Sequence, residues 1–441
     1  MTQQNHPPLD DRQPTDRQAA DRPEADRQLD DRPLADYSML DPHVQADPFP
    51  FYSKLHSECP VYRMPETGMY MITRYDDLRE VLRDTETFSS DVRSQGGLQG
   101  DVARILEDTL KEKGWAHVQT LQRTDPPQHT RYRELLKRVF TGRRVKDLTP
   151  RIDALTHELI DRFAQRGSCE FISEFALPFP GIIIAEQIGL DPSEIDRFKR
   201  WADAMLAPAT RVLDETEMRA VAETELEAQH YLAEVFESRR REPRDDIISA
   251  LVNAEIEGEQ PLSVHELQSL MHQLITGGYE TTTSALAHGM WLIVRHPDQA
   301  QQVREDPTLL NNFIEETLRF EGPVQGLARQ TTRDVEMHGT VIPKGSMVIV
   351  RYGAGNRDES QFPNAGTFDI HRERAVTHMA FGVGVHSCIG ALLARQELRS
   401  AYRALLERLH DIELARPLPD PVTQSSLFFV SIEEMHLKFH T

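Results

Sequence analysis

The chain has 441 residues, of which 71 are acidic and 50 basic, so its formal net charge at pH 7 is −21. This acidic balance argues against a nucleic-acid-binding protein, which normally carries an excess of basic residues. No stretch approaches the roughly 20 apolar residues that a membrane-spanning helix needs. Because only three cysteines are present and no secretory signal is visible at the N-terminus, we expect a cytoplasmic protein.

The first 36 residues differ in composition from the remainder of the chain. An Asp-Arg pair recurs every five residues between positions 11 and 32, and aliphatic side chains are almost absent. Such a segment cannot bury enough apolar surface to offset the entropy lost on ordering, and a five-residue period fits neither a helical face nor a strand. We therefore predict a disordered tail over residues 1–36 and a single folded domain over residues 37–441.

From Tyr37 onward the composition is that of a globular protein, without a Gly/Ser-rich linker. The 3.6-residue apolar period of an amphipathic helix occurs in 152–163, 193–205, 215–239, 264–293, 311–320 and 390–409. Shorter segments predict strands at 61–63, 69–73, 335–342 and 346–352. The predicted fold class is therefore mainly α with a minor β region.

Cys388 lies in a glycine-rich segment, FGVGVHSCIG, directly before the last predicted helix. Glycines allow a tight turn, and the free N–H groups and positive dipole end of the following helix stabilise a thiolate. A thiolate on a rigid loop suits an axial metal ligand. The alternatives are a structural zinc site, whose nearest further cysteine is Cys169, a nucleophilic cysteine with His386 as its base, and a buried structural cysteine.

The segment 274–283, LITGGYETTT, lies midway along the longest apolar helix predicted. Each glycine in a helix interior costs about 1 kcal/mol, and three consecutive threonines can divert hydrogen bonds from the helix backbone. The pattern indicates either a locally opened helix with a groove beside it, or a helix end at Gly277-Gly278 followed by a second helix.

Two further motifs are weak by themselves. Glu316 and Arg319 have the i,i+3 spacing that usually marks a solvent-exposed salt bridge. His129 and Arg133, within the segment 125–133 (DPPQHTRYR), are four residues apart and therefore share a helix face. Either pair alone is typical of surface charge.

Together these motifs resemble the cytochrome P450 family, in its soluble bacterial, ferredoxin-dependent form. The family signature Phe-Gly-x-Gly-x-His/Arg-x-Cys-x-Gly is met at every fixed position by residues 381–390. The resemblance covers roughly residues 37–441 and implies a single haem-thiolate domain of the cytochrome P450 type. It also implies haem b (iron protoporphyrin IX) as the cofactor and Cys388 as the ligand of its iron.

The resemblance implies roles for the other motifs as well. Glu280 and Thr281 match the acid–alcohol pair that manages proton delivery during oxygen activation. The implied contacts of the haem propionates are His129, Arg133, Arg329 and His386. Glu316 and Arg319 match a buried ion pair whose third member is Arg372, with the structural task of holding the cysteine loop.

Family resemblance also places substrate-facing positions in four segments: the loop 89–122, the helix face before Thr281, the segment after Pro323, and a turn near 425–429. The candidate substrate residues are Gln273, Thr276, Gly277, Gln325 and Phe428. Their mixture of amides, a hydroxyl and an aromatic ring suggests a small hydrophobic substrate with one or two polar groups, such as a terpenoid, a steroid or a functionalised aromatic compound.

No flavin or nicotinamide fingerprint and no cysteine cluster are present, so electrons must come from separate proteins. We expect a ferredoxin with its ferredoxin reductase. The basic docking face predicted for it comprises Arg138, Arg143, Arg144, Lys146, Arg395 and Arg399.

The predicted function is that of a haem-thiolate monooxygenase that uses O2 and two electrons to hydroxylate or otherwise oxidise its substrate. A peroxide-driven or isomerising haem-thiolate enzyme is the first alternative, and the Glu280-Thr281 pair favours the dioxygen route over it. A non-catalytic haem-binding sensor is the second.

Overall fold

The computed structural model describes residues 33–92, 97–190, 194–210, 212–254, 260–418 and 427–441. The predicted disordered tail, residues 1–36, therefore falls almost entirely outside the described residues. Within it, Leu34–Asp36 forms a 3-10 turn, and Leu34 packs against the cluster that contains Tyr37. No helix in these ranges is both long and apolar enough to cross a membrane.

Helices dominate the described chain. Those before residue 200 are α1 (Pro42–Ala46), α2 (Phe49–Glu58), α3 (Tyr75–Arg83), α4 (Ala103–Lys113), α5 (Gln128–Lys137), α6 (Gly142–Asp161), α7 (Pro178–Gln187) and α8 (Ile195–Thr210). Those that follow are α9 (Glu215–Arg241), α10 (Ile247–Val252), α11 (Val264–Arg295), α12 (Pro297–Glu305), α13 (Leu310–Phe320), α14 (Tyr352–Gly355) and α15 (Ala391–Arg408).

Ten short strands form three small sheets. The strands are β1 (Val61–Arg63), β2 (Tyr70–Ile72), β3 (Phe88–Ser89), β4 (Ser168–Glu170), β5 (Leu327–Thr331), β6 (Val335–Met337), β7 (Thr340–Ile342), β8 (Met347–Val350), β9 (His410–Leu414) and β10 (His436–His440). The largest sheet has the order β1-β2-β8-β5-β3, with only β2 and β8 parallel. The others are β4-β10-β9 and the hairpin β6-β7.

The central helix is α11. Ser263 caps its N-terminus in a reciprocal capping box with Glu266, which satisfies two backbone N–H groups that the helix itself leaves free. Every residue from Thr282 to Met290 is buried, as expected of a helix that is apolar on all sides. Because α11 contributes to both of the largest apolar clusters, it joins the two halves of the core.

The predicted mainly α fold with a minor β region is confirmed, and the six predicted helices are present with shifted ends. The single strand predicted over 335–342 is wrong. His338 and Gly339 have φ of 49° and 75°, which reverses the chain and produces the β6-β7 hairpin. The helix predicted from residue 193 begins at Ile195, and residue 193 itself lies outside the described residues.

A buried ion triad ties α13 to the segment that leads towards Cys388. Glu316 Oε2 accepts from Arg319 Nε at 2.7 Å, and Glu316 Oε1 accepts from Arg372 Nε at 3.0 Å. All three side chains are almost completely buried. The two arginines also donate to the carbonyls of Asn356, Pro363, Asn364, Ala365 and Thr367. The triad therefore fixes the course of residues 356–372.

Glu316→Gln keeps the size of the side chain but removes the charge that both arginines face. Because uncompensated buried charge remains, we expect the free energy of unfolding to fall by about 3–5 kcal/mol. Urea unfolding followed by circular dichroism measures this change. Glu373→Gln replaces an exposed carboxylate next to Arg372 and is the matched control. An equal loss of stability in both variants would contradict the role of the triad.

Candidate functional site

The segment 381–390 forms a tight loop in front of α15. The N–H of Cys388 donates to the carbonyl of Phe381 at 2.8 Å and closes the loop. Gly384 has a φ of +81°, and a Cβ placed there would lie 2.7 Å from the carbonyl oxygen of Leu82 in α3. Position 384 thus requires glycine both for its left-handed backbone and for the close approach to α3.

The sulfur of Cys388 lies at the N-terminal end of α15. Burial raises the pKa of the Cys388 thiol, whereas N–H groups of Gly390 and Ala391 and the charges of Arg133 and Arg395 lower it. The side chain is nevertheless accessible. The sulfur is thus packed among protein atoms that disfavour its charge and still has a free surface. Fixed N–H donors and nearby cations are what a metal-ligating thiolate needs.

Two of the alternatives for Cys388 find no support in this geometry. Within the described residues, no metal-type grouping of three His, Cys, Asp or Glu side chains includes Cys388, so a structural zinc ion would lack ligands there. The ring of His386 contacts Ser90 Oγ at 3.1 Å. Burial and neighbouring cations lower the pKa of His386 to about 3, which leaves it too weak a base to activate the thiol.

Four basic side chains gather beside the cysteine loop, as the sequence motifs predict. The rings of His129 and His386 are 4.1 Å apart between centroids, and Arg133 Nη2 reaches Ser387 Oγ at 3.5 Å. Arg329, on β5, is buried and lies close enough to His386 to lower the pKa of its ring. Three of the four therefore come from two distant segments of the chain, α5 and β5, and the fourth belongs to the loop itself.

This basic cluster has the character of an anion site. Among the described residues, no carboxylate lies within ion-pair distance of Arg133 or Arg329. His129 Nε2 is buried without a hydrogen-bond partner. Buried donors of this kind are normally satisfied, so the orphaned nitrogen points to a missing acceptor. The donor set fits a bound group that carries carboxylates, such as the two propionates of haem.

Helix α11 is continuous through Gly277-Gly278, so the alternative of two helices is wrong. The Thr281 hydroxyl donates to the carbonyl of Gly277 at 2.7 Å, and that of Thr276 to His272 at 2.8 Å. The helix therefore keeps its backbone bonds while the threonines bond back to the preceding turn. Gly277 is exposed, and a Cβ placed on it would meet nothing within 4 Å. An open space thus lies beside the middle of an otherwise buried helix.

The carboxyl group of Glu280 has a pKa close to neutral pH. Burial and the nearby carboxylates of Asp203 and Glu433, opposed by a hydrogen bond from Ser284, together raise the pKa of Glu280 to about 7. Ser284 Oγ donates to Glu280 Oε1 at 3.2 Å. A carboxyl group with such a pKa can both accept and release a proton at physiological pH.

The predicted substrate residues are not all brought together. Gln273 donates to the backbone and hydroxyl oxygens of Thr120, so its amide fastens the preceding loop to α11. Gln325 does not border an open space, contrary to the prediction. Its side chain is buried, donates to the carbonyl of Gly322, and packs against the backbone of Gly353. Its task is to shape the turn before β5 rather than to face an open space.

The other substrate positions remain near open or half-buried surfaces. Gly277 borders the open space beside α11, and Thr276 lies next to it on the same helix. Phe428 is half-buried and packs with the cluster around Tyr52, while its carbonyl accepts from the N–H of Gln325. Of the predicted turn 425–429, residues 425 and 426 lie outside the described residues.

A charged network that is not evident from the sequence supports the cysteine loop. Burial disfavours the ionised form of Glu315, but hydrogen bonds from Arg395 and His378 lower the pKa of Glu315 to about 2. Arg395 Nε donates to Glu315 Oε1 at 2.6 Å, and its guanidinium lies 4.4 Å from the centre of the Phe381 ring. The only sequence signal is the doubled acid in Glu315-Glu316, which does not reveal partners so far along the chain.

Comparisons with known proteins agree with this fold. A family model described as cytochrome P450 matches residues 193–429. Cytochrome P450 107B1 from Saccharopolyspora erythraea is 35% identical over 88% of this chain and 94% of its own length. 6-Deoxyerythronolide B hydroxylase from the same organism is 32% identical over 88% of this chain and 95% of its own length. The structure of cytochrome P450 CYP109Q5 from Chondromyces apiculatus matches with a TM-score of 0.80 and 34% identity, covering 93% of this chain and 99% of that one.

The mainly helical fold, the thiol at the start of α15 and these matches define one class of protein. The chain belongs to the cytochrome P450 family. Within that family it is a monooxygenase.

Gly384→Ala tests how closely the cysteine loop is fitted to α3. The new Cβ would be strained by the backbone conformation and would also press on the carbonyl of Leu82, so we expect a stability loss of about 1–3 kcal/mol. Thermal unfolding measures it. Gly345→Ala is the matched control, because Gly345 has a φ of +82° with open space around it. A loss no larger than that of the control would show that the contact with Leu82 is unimportant.

Proposed function

We propose that this protein is a ferredoxin-supported monooxygenase that uses O2 and a haem held by Cys388 to oxidise a small hydrophobic substrate. The observation that carries the proposal is the accessible sulfur of Cys388, which lies at the start of a helix beside the backbone N–H donors of Gly390 and Ala391. The basic cluster beside it supplies the partners that the carboxylates of a porphyrin require.

The cytochrome P450 family uses haem b. In this chain Cys388 would ligate the iron, and the propionates would be held by His129, Arg133, Arg329 and His386. The orphaned Nε2 of His129 would gain an acceptor, and the charges of the two arginines would be neutralised. When bound, haem supplies an iron centre that activates dioxygen for insertion into a C–H bond, and a thiolate ligand favours O–O cleavage.

Glu280 and Thr281 would manage the protons that this reaction consumes. The Thr281 hydroxyl is anchored to the Gly277 carbonyl beside the open stretch of α11, so its oxygen is held in one place. With a pKa near 7, Glu280 can take a proton from solvent and pass it on, while Thr281 orients the acceptor by hydrogen bonding. α11 packs against α15, the helix that begins beside Cys388.

Cys388→Ala tests the thiolate. Because the sulfur would be the only protein ligand of the iron, we expect the variant to lose the strongly red-shifted Soret band of the reduced CO complex. Visible absorption spectroscopy after reduction and CO addition measures it. Cys59→Ala, which removes a cysteine that bonds the carbonyl of Val61 instead, is the matched control and should keep the band. A red-shifted band that persists in Cys388→Ala would refute the ligand assignment.

The substrate would be an apolar molecule with one or two polar groups. The wall offered by α11 combines the open Gly277 with the hydroxyl of Thr276, and the half-buried ring of Phe428 adds aromatic surface. A relative named for hydroxylating 6-deoxyerythronolide B adds that compound to the terpenoids, steroids and aromatics worth screening. Binding is detected as a shift of the haem iron to high spin.

Thr281→Ala tests proton delivery with a substrate found in this way. Without the hydroxyl, no group at position 281 would orient proton delivery, so we expect product formation to fall by more than about tenfold while peroxide accumulates. The ratio of product to peroxide per electron consumed measures the effect. Thr283→Val is the control, because its hydroxyl makes the same backward hydrogen bond from the buried face of α11. An unchanged yield would favour the peroxide-driven alternative.

Electrons would come from a ferredoxin that docks near the loop of Cys388. Of the predicted basic face, Arg143 and Lys146 are exposed, and the exposed side chain of Leu392 lies beside Gly142 at the start of α6. Two members of the predicted face are already paired with carboxylates and are removed from it: Arg144 pairs with Asp245, and Arg395 pairs with Glu315. The docking surface we propose is therefore smaller than predicted, with an apolar centre and a basic rim.

Arg143→Glu tests this docking surface. Because attraction to an acidic ferredoxin raises the association rate, we expect reduction to slow by about an order of magnitude at low salt. The wild-type rate should fall as salt rises and approach that of the variant. Stopped-flow reduction under CO measures both rates. Lys344→Glu, which makes the same charge change at the turn before β8, should react like the wild type; a rate independent of salt would count against the proposal.

A further inference from the structure

Two histidines and a glutamate from three separate segments of the chain lie close together. They meet beside α11, about two and a half turns before Thr281. His117 lies in the segment between α4 and α5, Glu225 in α9, and His272 in α11. One nitrogen from each ring and one carboxylate oxygen all lie within 4.8 Å of one another. Nothing in the proposed oxidation uses these three side chains.

The distances between the candidate ligand atoms are close to those of a metal centre. His117 Nε2 lies 2.5 Å from Glu225 Oε1, and His272 Nε2 lies 3.9 Å from the same oxygen. Around a tetrahedral ion with bonds of about 2.0 Å, ligand atoms stand about 3.3 Å apart. Small movements in opposite directions would therefore bring both nitrogens to the required spacing: His117 away from Glu225 and His272 towards it.

The carboxylate is the strongest sign that a ligand is missing. Glu225 is 1% exposed, and its second oxygen, Oε2, is buried without any hydrogen-bond partner. A buried carboxylate oxygen without a donor is costly, and a cation would remove that cost. Among the surrounding charges, Glu107 favours a cation near His117 and Arg123 opposes it.

The site is also open on one side. The His117 side chain is 38% exposed, which provides a path for an ion and room for a water molecule as a fourth ligand. Two imidazoles, one carboxylate and a water are a known ligand set for Zn²⁺. Magnesium and calcium prefer oxygen ligands, so they are poor matches for this donor set.

The three residues stand where a segment of chain is attached to two helices. Gln229 of α9 accepts from the N–H of Trp115 and donates to its carbonyl, and Ser269 of α11 accepts from the N–H of Val118. His117 lies between these two attachment points. An ion held by His117, Glu225 and His272 would add a third attachment, stronger than a hydrogen bond.

We propose that His117, Glu225 and His272 form a Zn²⁺ site that fastens the segment 114–123 to α9 and α11. Residues 114–122 of this segment follow α4 and belong to the stretch 89–122 that we predict to face the substrate, so zinc would restrict the movement of that part of the chain. The role is regulatory and structural: the ion would take no part in the oxidation.

Zinc titration of the chelator-treated holoenzyme tests the site. We expect one Zn²⁺ per chain by metal analysis after gel filtration, with the affinity measured by calorimetry. Glu225→Gln keeps the shape of the side chain, and His272→Ala removes one imidazole. Each variant alone should weaken zinc binding by more than the roughly 10–100-fold that loss of an outer-shell partner costs. His265→Ala, an exposed histidine in the first turn of the same helix, is the control and should bind like the wild type.

Hydrogen exchange supplies the second measurement. Zinc should slow exchange of the amides of Trp115 and Val118 in the wild type and leave exchange in Glu225→Gln unchanged. The proposed site is overturned if the wild-type enzyme does not bind one zinc ion per chain. It is also overturned if Glu225→Gln binds zinc with the affinity of the wild type. Binding without slower exchange overturns the fastening of the segment.

Discussion

The cost of a negative charge on the Cys388 sulfur, which is packed among protein atoms yet accessible, is the constraint on which the proposed haem site depends. Burial alone raises the pKa of the Cys388 thiol, so the charged form needs donors that are already in place. The loop 381–390 provides them by ending at the first turn of α15, where the backbone N–H groups of Gly390 and Ala391 point at the sulfur. Neither donor has to move when the charge appears.

Holding that loop in place is the work of two acidic side chains on α13 and their arginine partners. The triad of Glu316, Arg319 and Arg372 fixes the segment before the loop, and Glu315 fixes its first residue through Arg395 and the Phe381 ring. Glu315 and Glu316, which are adjacent on α13, therefore hold two different parts of the chain in place. Charge is concentrated in the core here because backbone carbonyls of an irregular segment need strong donors, which arginine supplies several at a time.

The sequence was most informative where one short motif carried its own geometry. The signature of residues 381–390 located the loop and its glycine turn, and the apolar period located α9, α11 and α15 because apolar residues recur in each with the spacing of a helix. α7 escaped notice, since its run of isoleucines is buried on several sides and leaves no polar face. Gln325, Arg144 and Arg395 were misjudged because their partners lie elsewhere in the chain, and single-residue patterns do not reveal such partners. The cluster of His117, Glu225 and His272 was invisible for the same reason.

The small sheet β4-β10-β9 sets the order in which the chain can fold. Its middle strand is β10, so β4, which emerges from the ribosome early, has no neighbour to pair with until residues 436–440 have been made. Until then the backbone of residues 168–170 and the buried face that later receives Phe439 stay open to other nascent chains. Synthesis of this protein therefore includes a long interval in which chaperones have an exposed edge to protect.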